Sequence, residues 1–353
     1  MRQLVVLVLS LVLVLALTEH ILAQSETLTR EYWPTDDWRT RSPEELGLDI
    51  TKLHAIDPFV KDSLAATTSI LVVRHGYLAF ESYYAGDKDS PRRLWSATKS
   101  VTSILTGILI KSHQIQSIDD FMLSYLPELR SGNLAPNVDK ITIRNLLTMT
   151  SGFPPDPLGT LFVKGLLSKP LDSLPGETFA YNSTNADLLS IIITELTKQT
   201  AAEFAETNLF KPLGIRNYSW AKEYLYSNGG LGLSLSSRDM AKIGYLYLNK
   251  GTWDKTEIVA QDWVSESTSV QVSTTRPLEA WKNYGYSNYG FLWWISGFKG
   301  AYFAFGAYGQ SITVMPDQDM VVVITAETPM VGSGEDAGKY FAIITDYVIP
   351  AIK

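Results

Sequence analysis

The spacing of apolar positions changes along this chain, and the changes divide it. Thr68 to Arg74 (TSILVVR) is rich in β-branched residues and predicts a strand. His75–Gly76 interrupts it and Tyr77 to Tyr84 is again extended, so a tight hairpin is expected. From Ser96 the period becomes helical. Val101, Ile104, Leu105, Ile108 and Leu109 recur at i, i+3, i+4, i+7 and i+8, which makes one buried face. Ile143 to Met149 predicts a short helix stopped by Ser151–Gly152. Asp187 to Lys198 predicts a stronger one. Ser237–Arg238–Asp239 opens another that runs to Asn249 and ends at Gly251, its first residues serving the helix start. Between these, Phe153 to Thr178 is Pro/Gly-rich and is expected as a loop over a site. Strand signals return at Gly290–Ile295, Ala301–Phe305, Ser311–Met315 and Val321–Ala326, an antiparallel meander, and Glu335 to Ile349 predicts a helix packed on it.

The expected fold class is therefore α/β of the α+β kind: an antiparallel sheet built from both chain ends and flanked by helices, with a mainly helical lobe inserted between them. The expected sheet lobe covers about 30–95 plus 287–353, the helical lobe about 96–286, within a single domain of 24–353.

The first residues follow a different pattern. Arg2 precedes a run from Leu4 to Leu17 that is apolar except for Ser10. That run is short for a membrane span and suits a signal peptide over 1–23, cut after Ala23, so a secreted or periplasmic protein is expected. There is no cysteine, which excludes disulfides, thiol catalysis and Cys-bound zinc and leaves the core alone to hold the fold. The net charge is −7 and no dense Lys/Arg run occurs, so nucleic acid is not an expected partner.

Ser96 and Lys99 (LWSATKSVTSIL, 94–105) raise the chemical question. Ser-x-x-Lys also occurs at Ser219/Lys222 and Ser296/Lys299, so the spacing alone carries little. The first pair differs because it opens the apolar helix, near its unpaired N–H groups and the positive end of its dipole. Lys99, three residues on, falls on the same face as Ser96. A neutral lysine there would take the serine proton and create a nucleophile; a capping serine beside a solvated lysine is the alternative. A Gly-x-Ser-x-Gly elbow, a P-loop, His-Glu-x-x-His and Gly-x-Gly-x-x-Gly are absent, and none of the four histidines sits in a catalytic motif. Of the twelve aromatics between Trp281 and Tyr308, most are expected to pack in the core.

With SPEELGLD (42–49), ITIRNLLTMTSG (141–152), FAYNSTNADLL (179–189), SSRDMAKIG (236–244), YGFLWW (289–294) and FGAYGQSITVMP (305–316) added in this order, the chain resembles the serine beta-lactamase and penicillin-binding-protein-like hydrolases. Within them it is most similar to the class C-like esterase and 6-aminohexanoate-dimer hydrolase branch, from about Ser42 to Val348. The resemblance implies Ser96 as acyl-accepting nucleophile, Lys99 as its base or relay, and Tyr181 of Tyr181–Asn182–Ser183 as second acid/base group. Ser183 would bond substrate or Lys99, or simply cap. Ala307–Tyr308–Gly309 would be the third motif, with Gly309 admitting substrate to the strand and the Gln310 N–H joining that of Ser96 in an oxyanion hole. Tyr308, beside that motif, and Trp95, beside the nucleophile, would then be the candidates for pocket walls, which would favour apolar acyl groups. Ala307 carries no cation for a substrate carboxylate, a departure that speaks against strong beta-lactamase or DD-peptidase activity. The implied partner is a small-molecule ester or amide, with no cofactor, no metal, and no membrane beyond the signal segment. A catalytically silent ligand or peptide binder and a transacylase are the rival readings, and the sequence sets no oligomeric state.

Overall fold

A computed structural model describes residues 30–156, 163–274, 286–296, 298, 300–327 and 339–353; the expected signal segment lies outside them. Two compact units divide between Trp33 and Pro34, and every element below belongs to the second, Pro34–Lys353. No helix among the described residues is long and apolar enough to cross a membrane.

The centre of the fold is an eight-stranded antiparallel sheet. Its strands are β1 (Thr67–Arg74), β2 (Tyr77–Tyr83), β3 (Val272–Ser273), β4 (Tyr286–Tyr289), β5 (Trp294–Ser296), β6 (Tyr302–Gly306), β7 (Gln310–Met315) and β8 (Met320–Ala326), in the spatial order β3-β4-β5-β6-β7-β8-β1-β2. The C-terminal meander thus meets the N-terminal hairpin at β8–β1, where Ile70 faces Ile324 and Val72 faces Val322. The hairpin turn is the one expected: His75 and Gly76 both have positive φ (52° and 84°), the twist that a two-residue connection between right-twisted strands needs. His75 also bonds Asp319 across the sheet end (Nδ1 to Oδ2, 3.0 Å).

β1, β7 and β8 are buried nearly throughout, which explains their unbroken apolar runs: both faces are covered. On one face lies helix α3 (Ser237–Leu248), numbered after α1 (Thr98–Lys111) and α2 (Thr184–Thr197). A side chain at Gly244 would strike Val321 and Ile312, so the glycine lets α3 close on the sheet. On the other face Phe341 of the C-terminal helical segment packs against Phe303 and Phe305. The expected helix on the meander is present in its described part.

Three expectations are corrected. Gly290–Ile295 is not one strand. Gly290 to Trp293 is a turn closed by the Gly290 N–H on the Trp293 carbonyl (2.8 Å), with Leu292 at φ 60°. Local alternation could not show that the Gly290 backbone abuts the Ser267 carbonyl, where a Cβ would stand 2.1 Å away. Second, α3 was expected in the helical lobe and packs on the sheet instead, as do β3 and the first residue of β4 by pairing into it. Third, α1 is buried on all sides from Thr98 to Leu109. Its Ser and Thr positions face neighbours rather than water: Ser100 Oγ donates to the Leu292 carbonyl (2.7 Å) and Thr102 Oγ1 to the Gly229 carbonyl (2.8 Å). Satisfied hydroxyls can be buried at little cost, so a polar helix face need not be a wet one.

Candidate active site

Ser96 lies in a 3₁₀ turn, Trp95–Ala97, directly before α1. Two contacts position that turn. The Leu94 N–H donates to the Leu233 carbonyl (2.8 Å), and Thr98 Oγ1 accepts the Leu233 N–H (3.2 Å), so the short strand Leu233–Leu235 straps the start of α1. Behind it β6 ends at Gly306, where a Cβ would stand 2.0 Å from the Leu94 carbonyl oxygen. Only a residue without a side chain lets the strand come this close to the turn.

Lys99 is buried, with 1% of its surface exposed. Its Nζ is 3.1 Å from Ser96 Oγ, 2.9 Å from Ser183 Oγ and 2.9 Å from the Gly230 carbonyl oxygen. The carbonyl can only accept, whereas either hydroxyl can donate or accept. A neutral amine has two N–H groups and one lone pair. Given to Gly230 and Ser183, its two N–H groups leave the lone pair for the Ser96 proton. Burial draws the Lys99 amine well below its ordinary range, against the opposing pull of the Asp187 and then the Asp156 carboxylates. Desolvation therefore favours the neutral form that the geometry can use.

Ser183 stands at the start of α2 and its side chain makes no capping bond; it is turned to Lys99. Tyr181 is buried (8% exposed), stacked on Trp294 with ring centroids 5.7 Å apart and edge-on to Tyr289. Lys99 Nζ lies 5.0 Å from the centre of its ring. The Asn182 side chain is taken up by backbone groups of other residues, accepting the Thr184 N–H (2.8 Å) and donating to the Pro154 carbonyl (2.6 Å).

The third segment joins β6 to β7. Tyr308 and Gly309 both have positive φ (68° and 97°), so the chain kinks just before Gln310. A Cβ on Gly309 would meet the Tyr340 ring at 2.5 Å. The glycine is thus demanded by its φ and by Tyr340, a packing reason that the expectation of substrate approach had not included. The Gln310 side chain is buried and bonds both the carbonyl and the N–H of Ala326, which fixes the first residue of β7 to β8. Trp95 and Tyr308 are half-buried and in edge contact, and Arg93 lies over the Trp95 ring.

Ser96, Lys99, Tyr181 and Ser183 are thereby brought together, and Trp95 faces Tyr308 beside them. The other Ser-x-x-Lys pairs are not comparable: Ser219 and Lys222 are exposed, and Lys299 lies outside the described residues. Trp281 and Tyr284 are likewise outside them. Of the other aromatics expected in the core, Tyr289, Phe291, Trp293, Tyr302 and Phe303 are buried there. Arg238 grips Glu81 with two nitrogens and Asp37 with a third, a tie between α3, β2 and the segment before it. The sequence reading missed Gly230, Asp187, Asp156 and Gly306. Gly229–Gly230 was the visible signal, since paired glycines mark a close backbone approach. Nothing local marked Asp187.

Comparison with known proteins agrees with this architecture. The Beta-lactamase family model matches residues 54–342. A protein of Salmonella paratyphi A named as a D-alanyl-D-alanine carboxypeptidase is 24% identical over 213 residues, 50% of this chain and 49% of the relative. The chain spans about half the length of the curated relatives it matches. A solved structure from Bacillus anthracis bearing the name of a 6-aminohexanoate-dimer hydrolase superposes with a TM-score of 0.70 at 20% identity, covering 90% of this chain and 89% of the other. A hydrolase described as having promiscuous acyltransferase activity superposes with a TM-score of 0.69 at 17% identity, covering 87% and 99%.

Proposed function

We propose, from the premise that this chain belongs to the beta-lactamase family, that it hydrolyses a small carboxylic ester or amide through an acyl-enzyme on Ser96. The observation that carries the reading is the 3.1 Å approach of Ser96 Oγ to a buried lysine whose other two partners are fixed. Lys99, directly or through Tyr181, takes the hydroxyl proton as the Ser96 oxygen bonds to the substrate carbonyl carbon. The developing oxyanion is received by the N–H groups of Ser96 and Gln310, on two segments that Gly306 lets lie against each other. The leaving alcohol or amine departs with the proton. Water then attacks the acyl-enzyme, its proton returning through the same groups, and releases the acid. No cofactor enters this scheme.

The half-buried Trp95, Tyr308 and Trp294 and the uncharged Ala307 support an apolar, uncharged acyl group over a substrate held by its carboxylate. The pattern of residues 1–23 supports export with cleavage after Ala23, which N-terminal sequencing of the secreted protein checks.

The test is intact-mass labelling with a fluorophosphonate on wild type and Ser96→Ala, followed by activated esters of graded acyl length. A single adduct that vanishes with Ser96, together with turnover, supports the hydrolase. No adduct on folded wild type rejects it in favour of a silent binder. A transfer product on adding an alcohol or amine would make the protein a transacylase.

A further inference from the structure

Asp187 is an ionisable group of the buried site that the chemistry above leaves unused. It lies on α2, four residues after Ser183, so both project toward the same neighbours. It is 5% exposed. Its Oδ1 accepts the Gly230 N–H at 3.1 Å, and the Gly230 carbonyl in turn accepts from Lys99 Nζ at 2.9 Å. Gly230 is pressed between these groups: a Cβ there would stand 3.1 Å from Ser183 Cβ and 3.6 Å from Lys99 Nζ. The carboxylate therefore holds the residue that holds the lysine.

We infer that Asp187 is a positioning residue for Lys99, fixing through Gly230 the carbonyl that orients the amine and standing as one of the two carboxylates that the amine faces. The inference rests on the reading of Lys99 as the base of Ser96. The surrounding charges fit it. Burial pushes the Asp187 carboxyl above the usual carboxylate range; Lys99 draws it back, Glu223 adds to the rise, and the N–H groups of Gly230 and Gly229 oppose it. The Tyr226 phenol, on the same hairpin as Glu223, is pushed up by burial first and then by Glu223 and Asp187. Asp156 is the other carboxylate facing Lys99.

Two substitutions should move the site in opposite directions. Asp187→Asn keeps an acceptor for the Gly230 N–H and removes the charge. Lys99 then loses its proton more readily. Glu223→Gln, at a half-exposed position, relieves the repulsion on Asp187. The carboxylate then persists to lower pH and Lys99 keeps its proton longer.

The readout is the rate of Ser96 phosphonylation by a fluorophosphonate between pH 5 and 10, which needs no knowledge of the natural substrate. The expected result is an acid limb displaced to lower pH by roughly one unit in Asp187→Asn and by less, to higher pH, in Glu223→Gln. A purely structural role for Asp187 would change the plateau and leave the limb in place. Limbs that coincide with wild type, or that move the same way in both variants, overturn the inference. If Asp187→Asn does not fold, Glu223→Gln decides alone: a limb moved upward supports the inference and an unmoved one rejects it. A folded wild type without Ser96 labelling overturns the base assignment and this inference together, whereas a labelled wild type with unmoved limbs overturns only this one.

Discussion

Trp95 and Tyr308 meet edge to face with ring centroids 5.2 Å apart, and both have backbones in the left-handed region, at φ 49° and 68°. One immediately precedes Ser96; the other precedes Gly309–Gln310. For bulky residues this backbone costs about 1–3 kcal/mol each, so the surrounding contacts must hold it. Arg93, whose Cζ is 3.9 Å from the Trp95 ring centre, is one of them. The aromatic contact couples the turn that carries Ser96 to the kink before β7.

Truncating either ring should therefore alter acyl selection. For Trp95→Ala and Tyr308→Ala we expect kcat/KM for long or aromatic acyl esters to fall about tenfold, and that for acetyl esters to change little, since roughly 1.4 kcal/mol of apolar contact is lost only where the acyl group reaches it. Kinetics across an acyl-length series measures this. A uniform loss across the series would instead place both residues in the framework of the proposed oxyanion hole.

Replacing Lys99 tests the base and the cost of burying it. Lys99→Arg keeps a permanent charge and Lys99→Met has none; both should slow Ser96 labelling by about 10² or more. Stability should respond with a defined sign. Because burial lowers the Lys99 value from 10.5, the unfolded chain binds its proton over the interval between the folded value and 10.5. The wild-type contribution is therefore present above that interval and lost as pH falls through it. Thermal melts should show the Tm of Lys99→Met, relative to wild type, declining as pH is raised from 8 to 10. A difference independent of pH would mean that Lys99 is charged in the folded protein.

Gly306 separates packing from chain flexibility. In Gly306→Ala the new methyl meets backbone, at 2.0 Å from the Leu94 carbonyl oxygen. Backbone cannot rotate away, so we expect a loss of roughly 3 kcal/mol in stability and a displaced, poorly labelled Ser96. The comparison is Gly165→Ala, in the helix Val163–Leu167, where nothing lies within 4 Å of the added methyl. It should be neutral or stabilising by up to about 1 kcal/mol. Melting curves and labelling rates on the two variants distinguish them.

Arg238 should matter for folding and not for chemistry. Its side chain is 13% exposed and bonds Glu81 at 2.6 and 3.1 Å and Asp37 at 2.6 Å. Arg238→Ala leaves those carboxylates without the guanidinium and should cost about 2–3 kcal/mol. Denaturant unfolding gives the cost, and the Ser96 labelling rate of the folded variant should match wild type.

Much of the framework was legible because it follows from short-range patterns. A β-branched run around His75–Gly76 can hardly be anything but a hairpin, and a 3.6-residue recurrence from Val101 to Leu109 fixes a helix with Ser96 just before it. The same patterns misplaced Gly290–Trp293 and the polar side of α1, since both depend on partners distant in sequence: the Ser267 carbonyl in one case, Gly229 and Leu292 in the other.

The sequence by itself determined the chemical parts: Ser96 and Lys99 one helical turn apart, Tyr181 and Ser183 in a single motif, two terminal blocks of strand, and no cysteine. Only the tertiary structure decided that Lys99 is dry, that its three bonds go to Ser96, Ser183 and Gly230, and that Asp187 stands behind Gly230. The physical reason is that spacing along a chain sets which side chains can share a face, whereas the protonation of a lysine depends on what excludes water from it. Here that is done by residues from positions 96 to 230, gathered by a sheet whose strands come from both ends of the chain.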